Sequence, residues 1–155
     1  MHSFEFAKLL ILSCTEIESV FKIICEEIEG HQVEGNIAAY KETILKKYPR
    51  IVETTVTISR LGRNIDPFAD WTVGRLSWWS AYQEVKHNRG NFFDQATYIN
   101  AVSSIAALYI LIFYLAAILN ISFHDMENTY ITSQYSHELA YFLPPKKLPD
   151  FEENS

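Results

Sequence analysis

The sequence predicts a mainly α-helical protein, a four-helix bundle, and three observations favour this fold class. Apolar residues recur three and four positions apart over several long stretches, which is the periodicity of a helix that buries one face. The segments between these stretches are short, so we expect successive helices to lie antiparallel. The chain has 155 residues, 48% hydrophobic and 14% aromatic, which suffices for one buried core and argues against disorder.

We expect a single helical-bundle domain over residues 1–142 and an irregular C-terminal tail over residues 143–155, where prolines interrupt the chain. The net charge of −6 provides no global field that would attract nucleic acid or anionic lipid, so such binding would need a local patch. Cys14 and Cys25 would stand about 16 Å apart on one helix, too far for a disulfide. We therefore expect reduced, buried cysteines and a cytoplasmic protein.

The first helix is predicted over residues 3–29 and the second over residues 37–48. Gly30 is suited to end the first helix, since glycine readily adopts the left-handed conformation of a helix C-cap. Asn36 can cap the second helix, and Pro49 would stop it. The predicted core stripe of the first helix consists of Leu10, Cys14, Ile17, Phe21, Ile24 and Ile28.

Residues 51–66 differ in kind from the helical stretches. Residues 54–58 are all β-branched, which favours extended backbone, and Gly62 with Asn64 can form a turn. We therefore expect a short irregular or β-like excursion near residues 51–66. It would pack on the helices or pair with the same segment of a second chain, because an isolated two-stranded ribbon is only marginally stable.

The third helix is predicted to begin after Thr72 or near Ser77 and to end at about residue 88, and the fourth is predicted over residues 92–119. Asn91 followed by Asp94 resembles a capping box that would open the fourth helix. Apolar side chains of the third helix recur at positions i, i+3, i+4 and i+7, which defines its core face. That face consists of Trp78, Ala81, Tyr82 and Val85.

Residues 101–119 of the fourth helix are apolar over a length that could cross a membrane. We favour a central helix buried on all sides of the bundle and no membrane partner. Ser103, Ser104 and Tyr109 interrupt the apolar run, and no second span accompanies it. A small membrane protein anchored by residues 101–119 is the minor alternative.

Three side chains suited to phosphate chemistry, Lys86, His87 and Arg89, fall within four positions at the predicted end of the third helix. A histidine can move a proton from a 2′-hydroxyl near neutral pH, and lysine and arginine can hold a phosphate. Glu84, one turn earlier, is placed to orient the imidazole of His87. The same cations would also stabilise the negative end of the helix dipole without any further role.

The aromatic residues of the third helix have two interpretations. Trp78 and Trp79 are adjacent, so they point to different faces of the helix. We expect both to pack in the core, Trp78 together with Tyr82 and Trp79 against residues 66–71. The alternative for Trp79 is a platform on which a nucleic-acid base stacks.

We expect no metal ion and no cofactor. No histidine lies three or four positions from another histidine, and neither cysteine is near one, so the usual ligand spacings of zinc and di-iron sites are absent. Phosphate-binding and dinucleotide-binding glycine motifs are also absent. Catalysis, if the chain performs any, would therefore depend on side chains alone.

Residues 60–115 carry Gly62, the pair Pro67–Phe68, Trp71 and then the motif WWxAYxxVKHxR over residues 78–89. This segment resembles a group of uncharacterised bacterial helical proteins that share the motif. Through its helical layout and the basic residues with histidine at a helix end, the group is similar to the HEPN-like superfamily. The resemblance implies a helical bundle that forms a homodimer.

Active HEPN-like proteins are metal-independent endoribonucleases of toxin–antitoxin and antiviral systems. The resemblance implies His87 as general acid and base, Lys86 and Arg89 as phosphate holders, and RNA or an antitoxin protein as partner. In such nucleases four to six residues separate an arginine from the histidine that follows it, whereas here Arg75 precedes His87 by 12 positions. Two functions stay open: an RNA-binding protein or ribonuclease of bacterial defence or toxin type, and a non-catalytic homodimeric interaction module.

Overall fold

The computed structural model describes residues 3–88, 90, 93–121, 142–143 and 148–152. These residues form four α-helices and three short strands, so the prediction of a mainly helical protein is confirmed. In chain order the elements are α1 (Phe4–Glu29), α2 (Ile37–Lys47), β1 (Val56–Ile58), β2 (Arg63–Ile65), α3 (Ser77–His87), α4 (Tyr98–Ile118) and β3 (Phe142–Leu143).

Both ends of α1 are fixed by local contacts. The Oγ atom of Ser3 accepts a hydrogen bond of 3.1 Å from the backbone N–H of Phe6, which satisfies one unpaired donor of the first turn. At the other end Gly30 adopts φ 77°, a left-handed conformation that glycine takes without steric cost. The predicted end of the first helix at Gly30 is therefore confirmed.

The start of α2 is also as predicted. The Oδ1 atom of Asn36 accepts hydrogen bonds from the backbone N–H groups of Ala38 and Ala39, at 3.1 and 3.3 Å. The helix ends at Lys47, one residue before the predicted end, and a 3-10 turn (Pro49–Glu53) follows it. Pro49, the first residue of that turn, disfavours the helical conformation at Tyr48.

The fourth helix begins later than the sequence predicted. It starts at Tyr98 rather than at residue 92, because Thr97 is extended and its Oγ1 atom accepts a hydrogen bond of 3.2 Å from the backbone N–H of Asn100. Asp94, expected in a capping box, instead belongs to a 3-10 turn (Phe93–Gln95). Asn91, the other predicted member of that box, lies outside the described residues.

The β-like excursion near residues 51–66 is confirmed as an antiparallel pair of strands with a third strand added. The strand order is β2-β1-β3, with Val56 opposite Ile65 and Thr57 opposite both Asn64 and Leu143. Gly62, at φ 56°, makes the turn between β1 and β2. The sheet packs on the helices through Val56 and Ile58, both of which are buried.

The core lies around α1, which contacts α2, α3 and α4. The predicted stripe of α1 is buried except at Ile28, which is partly buried. Phe21 is at its centre, with its ring centroid 5.9 Å from that of Tyr40, 5.8 Å from Trp71 and 6.1 Å from Trp79. Aromatic edge and stacking contacts of this kind join three elements on one side of α1.

Residues 148–152, part of the expected irregular tail, form a 3-10 turn (Pro149–Phe151) that packs on the domain. Asp150 accepts hydrogen bonds from the backbone N–H of Arg50 at 3.0 Å and from the hydroxyl of Tyr114 at 2.8 Å. The ring of Phe151 stacks on Tyr48 at 5.1 Å. These contacts hold the described end of the chain, while the division into residues 1–142 and 143–155 stays a prediction.

Candidate functional site

The C-terminal end of α3 carries the histidine on which the sequence-based hypothesis of catalysis depends. His87 is exposed, and its Nε2 atom lies 3.2 Å from the amide oxygen of Gln83. The predicted orienting contact with Glu84 is replaced by this one, since residues four positions apart also lie on the same helix face. The partner that orients the imidazole is therefore a neutral amide rather than a carboxylate.

Lys86 faces α1 rather than His87. Its Nζ atom lies 3.9 Å from the Oε1 atom of Glu18 and 5.3 Å from the centroid of the Tyr82 ring. The hydroxyl of Tyr82 donates to the same Glu18 oxygen at 3.4 Å. Hydrogen bonding to Tyr82, with a smaller attraction from Glu18, raises the pKa of Lys86. Polar contacts therefore join α3 to α1, and they are made by Lys86 and Tyr82 with Glu18.

Both tryptophans of the motif belong to the core. Trp78 is 2% exposed, and its Nε1–H donates to the backbone oxygen of Pro67 at 2.7 Å. Trp79 is 6% exposed and packs edge-on against Tyr82 with centroids 5.1 Å apart. Burial leaves Trp79 no free ring face for a base, so the core interpretation is confirmed and the stacking platform was wrong. Arg89, the third member of the predicted basic group, lies outside the described residues.

A cleft of about 950 Å³ lies between α1, α2, α3 and the loop that precedes α3. We call it the α1–α3 cleft. The charged side chains that line it come from four different elements, and His87 is not among its lining residues. They are Glu18 and Lys22 of α1, Lys41 of α2, Arg75 of the loop, and Glu84 and Lys86 of α3.

The walls of the α1–α3 cleft are held by specific contacts. The Nζ atom of Lys41 donates to the backbone oxygen of Gly74 at 2.9 Å, which ties α2 to the loop. A carboxylate oxygen of Asp70 accepts from the backbone N–H of Ser77 at 3.2 Å, which fixes the start of α3. The loop that presents Arg75 is therefore anchored on both sides.

Of the residues that line this cleft, the sequence singled out Trp79, Glu84 and Lys86, and it gave no sign of Lys22, Lys41 and Arg75 as site residues. Lys22, Lys41 and Arg75 stand at least 11 positions from Lys86, so no local motif joins them. These residues come together only because α1 packs against both α2 and α3. The cleft is thus a product of the fold rather than of a sequence pattern.

Metal ligation has no geometric support in the part of the chain that the structure describes. Three or more histidine, cysteine, aspartate or glutamate side chains are nowhere clustered in that part. The two cysteines are both buried and unpaired. Burial raises the pKa of the Cys14 thiol strongly and that of Cys25 to about 11, so neither is a thiolate at neutral pH.

One described helix, α4, is long and apolar enough to cross a membrane by length and composition. Half of its most apolar 18-residue window is buried within the fold. The hydroxyls of Ser104 in α4 and Ser13 in α1 are 2.6 Å apart and share a buried hydrogen bond. The hydroxyl of Ser104 is therefore paired where α4 packs against α1.

Comparisons with protein-family models, with curated proteins and with solved structures give no match. The resemblance to HEPN-like proteins therefore stays a prediction that depends on the motif over residues 78–89. The features of the molecule that bear on its function are the end of α3, the α1–α3 cleft and the apolar helix α4.

Proposed function

We propose that this chain is a non-catalytic helical interaction module that forms a homodimer through the outward side of α4. The observation that carries the proposal is the combination of composition and burial in that helix. Its most apolar window has a mean hydropathy of 2.3, yet only half of the window is buried by the described residues. Apolar surface left in water favours association, by about 25 cal/mol for each Å² that becomes buried.

The outward side of α4 extends between Ala101 and Ala116, which lie on the same face and are buried. Ile105, Leu108 and Ile112 follow the spacing i, i+3, i+7, so they lie on one face, and all three are partly exposed. Tyr109 and Phe113 flank them with rings in edge contact, 5.0 Å between centroids. No charged residue occurs in α4, so a second copy can lie along this face without burying a charge.

The surroundings of His87 support a non-catalytic role. Cleavage of a phosphodiester by a histidine also needs a neighbouring group that stabilises the developing charge. The imidazole instead contacts a neutral amide, and Lys86 is turned toward Glu18. The arginine spacing of HEPN-like nucleases is also absent from the sequence.

The test changes the outward face of α4 and measures association. Ile112→Glu places a charge in the proposed interface and is expected to convert a dimer into a monomer, as measured by light scattering. Leu61→Glu is the matched control, since Leu61 is 54% exposed and lies in a 3-10 turn beside the sheet. Ile112→Ser is a milder second variant, and circular dichroism checks that each variant is folded. An Ile112→Glu chain that is folded and still dimeric contradicts the proposal.

An RNA-directed function of bacterial defence or toxin type is the second candidate, favoured by the exposed imidazole of His87 next to Lys86 at one helix end. It would act in the cytoplasm as an RNA-binding protein or a metal-independent ribonuclease, with an antitoxin as protein partner. The test is cleavage and binding of single-stranded RNA in the presence of a chelator. Activity that disappears in His87→Ala supports this candidate, and RNA that stays intact and unbound rejects it.

The membrane anchor over residues 101–119 is the minor alternative. Contact between α4 and α1, including the hydrogen bond from Ser13 to Ser104, supports the homodimer over this alternative. A polar pair of this kind satisfies both hydroxyls inside a protein core. Partition of the purified chain into detergent micelles and its precipitation in buffer alone would favour the membrane alternative.

A further inference from the structure

We propose that the α1–α3 cleft binds a small ligand that carries a compact group of negative charges such as a diphosphate. The inference goes beyond the interaction module, because it needs only one copy of the chain. No residue of α4 lines the cleft, so binding there and association through α4 are separable.

Charge distribution is the first observation in favour. Four cationic and two anionic side chains line the cleft, so it is locally positive in a chain whose net charge is −6. Each wall contributes one cation: Lys22 from α1, Lys41 from α2, Arg75 from the loop and Lys86 from α3. Like charges that converge in this way repel each other, and a bound anion removes that cost.

The second observation concerns the partners of these four cationic side chains. Arg75 and Lys22 are exposed and make no ion pair with any side chain in the described part of the chain. Lys41 donates to a carbonyl oxygen, which fixes its position without neutralising its charge. Lys86 lies 3.9 Å from Glu18 and hydrogen bonds to Tyr82, so it contributes a positive charge at a fixed place in the cleft wall. An arginine beside lysines suits phosphoryl groups, since its planar fork binds two oxygens at once.

The size and floor of the cleft decide between classes of anion. A volume of about 950 Å³ is within the range of small-molecule sites. The floor is made of Tyr40, Trp71 and Trp79, each no more than 9% exposed and packed around Phe21. Rings as deeply buried as these leave no open face on which a nucleic-acid base could stack. Recognition therefore depends on the anionic group, and a small phosphorylated molecule fits better than a nucleic-acid strand.

The test is calorimetric titration of the full chain with inorganic pyrophosphate at low ionic strength. We expect binding that weakens as sodium chloride is added, since the contacts are between charges. Arg75→Ala is expected to weaken binding about tenfold or more, and Arg75→Lys less, because lysine keeps the charge but loses the fork. Arg63→Ala is the matched control: it removes the same charge from β2, outside the cleft, and is expected to leave the affinity unchanged.

Three further outcomes separate this inference from the functions proposed above. His87→Ala is expected to leave pyrophosphate binding unchanged, since His87 does not line the cleft. Ile112→Glu is expected to bind pyrophosphate as the unaltered chain does, whether or not it dimerises. The inference is overturned if pyrophosphate does not bind, if Arg75→Ala and Arg63→Ala weaken binding equally, or if only a single-stranded RNA binds. The last result would favour the RNA-directed candidate.

Discussion

Buried polar side chains in this chain are paired with partners that are distant in sequence. Ser13 bonds to Ser104, Trp78 to the backbone of Pro67, and Tyr114 to Asp150. No buried side-chain nitrogen or oxygen in the described part of the chain lacks a hydrogen-bond partner. Since an unpaired buried polar group costs about 1–3 kcal/mol, each pair fixes how two elements meet.

Tyr114→Phe tests the contact that holds residues 148–152. The change removes the hydroxyl that donates to Asp150 at 2.8 Å and leaves the ring in place. We expect the free energy of unfolding in urea to fall by about 1–3 kcal/mol, because the lost hydrogen bond is made to a carboxylate. Tyr109→Phe is the control, since that hydroxyl makes no hydrogen bond within the described residues, and it should cost much less. Equal losses in the two variants would show that the Asp150 contact contributes nothing.

The buried thiol of Cys25 predicts a dependence of stability on pH. Burial, with a smaller repulsion from Glu29, raises its pKa from 9.0 to about 11. In the unfolded chain the thiol ionises first, so the stability that this group contributes is complete below pH 9 and is lost as the pH rises to about 11. We expect the difference in unfolding free energy between the unaltered chain and Cys25→Ala to shrink by about 1–3 kcal/mol over this interval. Parallel curves for the two chains would contradict the assignment.

At the scale of elements, helix ends were predictable where a single residue decides them. Gly30 and Asn36 act through contacts within four residues of the chain, and such local chemistry is visible in the sequence. The start of α4 was not predictable in the same way. Asn91 and Thr97 both suit an N-cap, and the order of their neighbours does not say which one the backbone uses.

Thr97→Ala tests the observed start of α4. The variant removes the Oγ1 atom that accepts from the backbone N–H of Asn100, and we expect a loss of about 1 kcal/mol in the free energy of unfolding. Thr97→Ser keeps the acceptor and should stay within about 0.5 kcal/mol of the unaltered chain. Chemical denaturation measures both. A Thr97→Ser variant as unstable as Thr97→Ala would mean that the methyl group, not the cap, is what matters.

At the scale of the whole molecule, the features that sequence could not supply are those made by distant segments. The third strand pairs Thr57 with Leu143, and a contact so far apart in the chain leaves no periodic trace. The α1–α3 cleft gathers cations from four elements in the same way. The helical class, the β-like excursion and the burial of Trp78 and Trp79 were predictable, since each depends on local composition and spacing.

The two proposed surfaces occupy different parts of the molecule. The proposed association uses the outward side of α4, and the proposed ligand binding uses the cleft between α1, α2 and α3. Helices α1 and α3 both contact α4 and both line the cleft, so they join the two surfaces. Coupling between the surfaces would need a movement of α1 or α3, and pyrophosphate affinity in monomeric Ile112→Glu reports directly on that.

The mass of the chain in detergent-free buffer is the most direct test of the proposal that the chain forms a homodimer. Light scattering on the purified, unaltered chain should give about twice the chain mass of 18.0 kDa, at concentrations where Ile112→Glu gives the single-chain mass. A folded chain that stays at 18.0 kDa over the whole concentration range would contradict the claim.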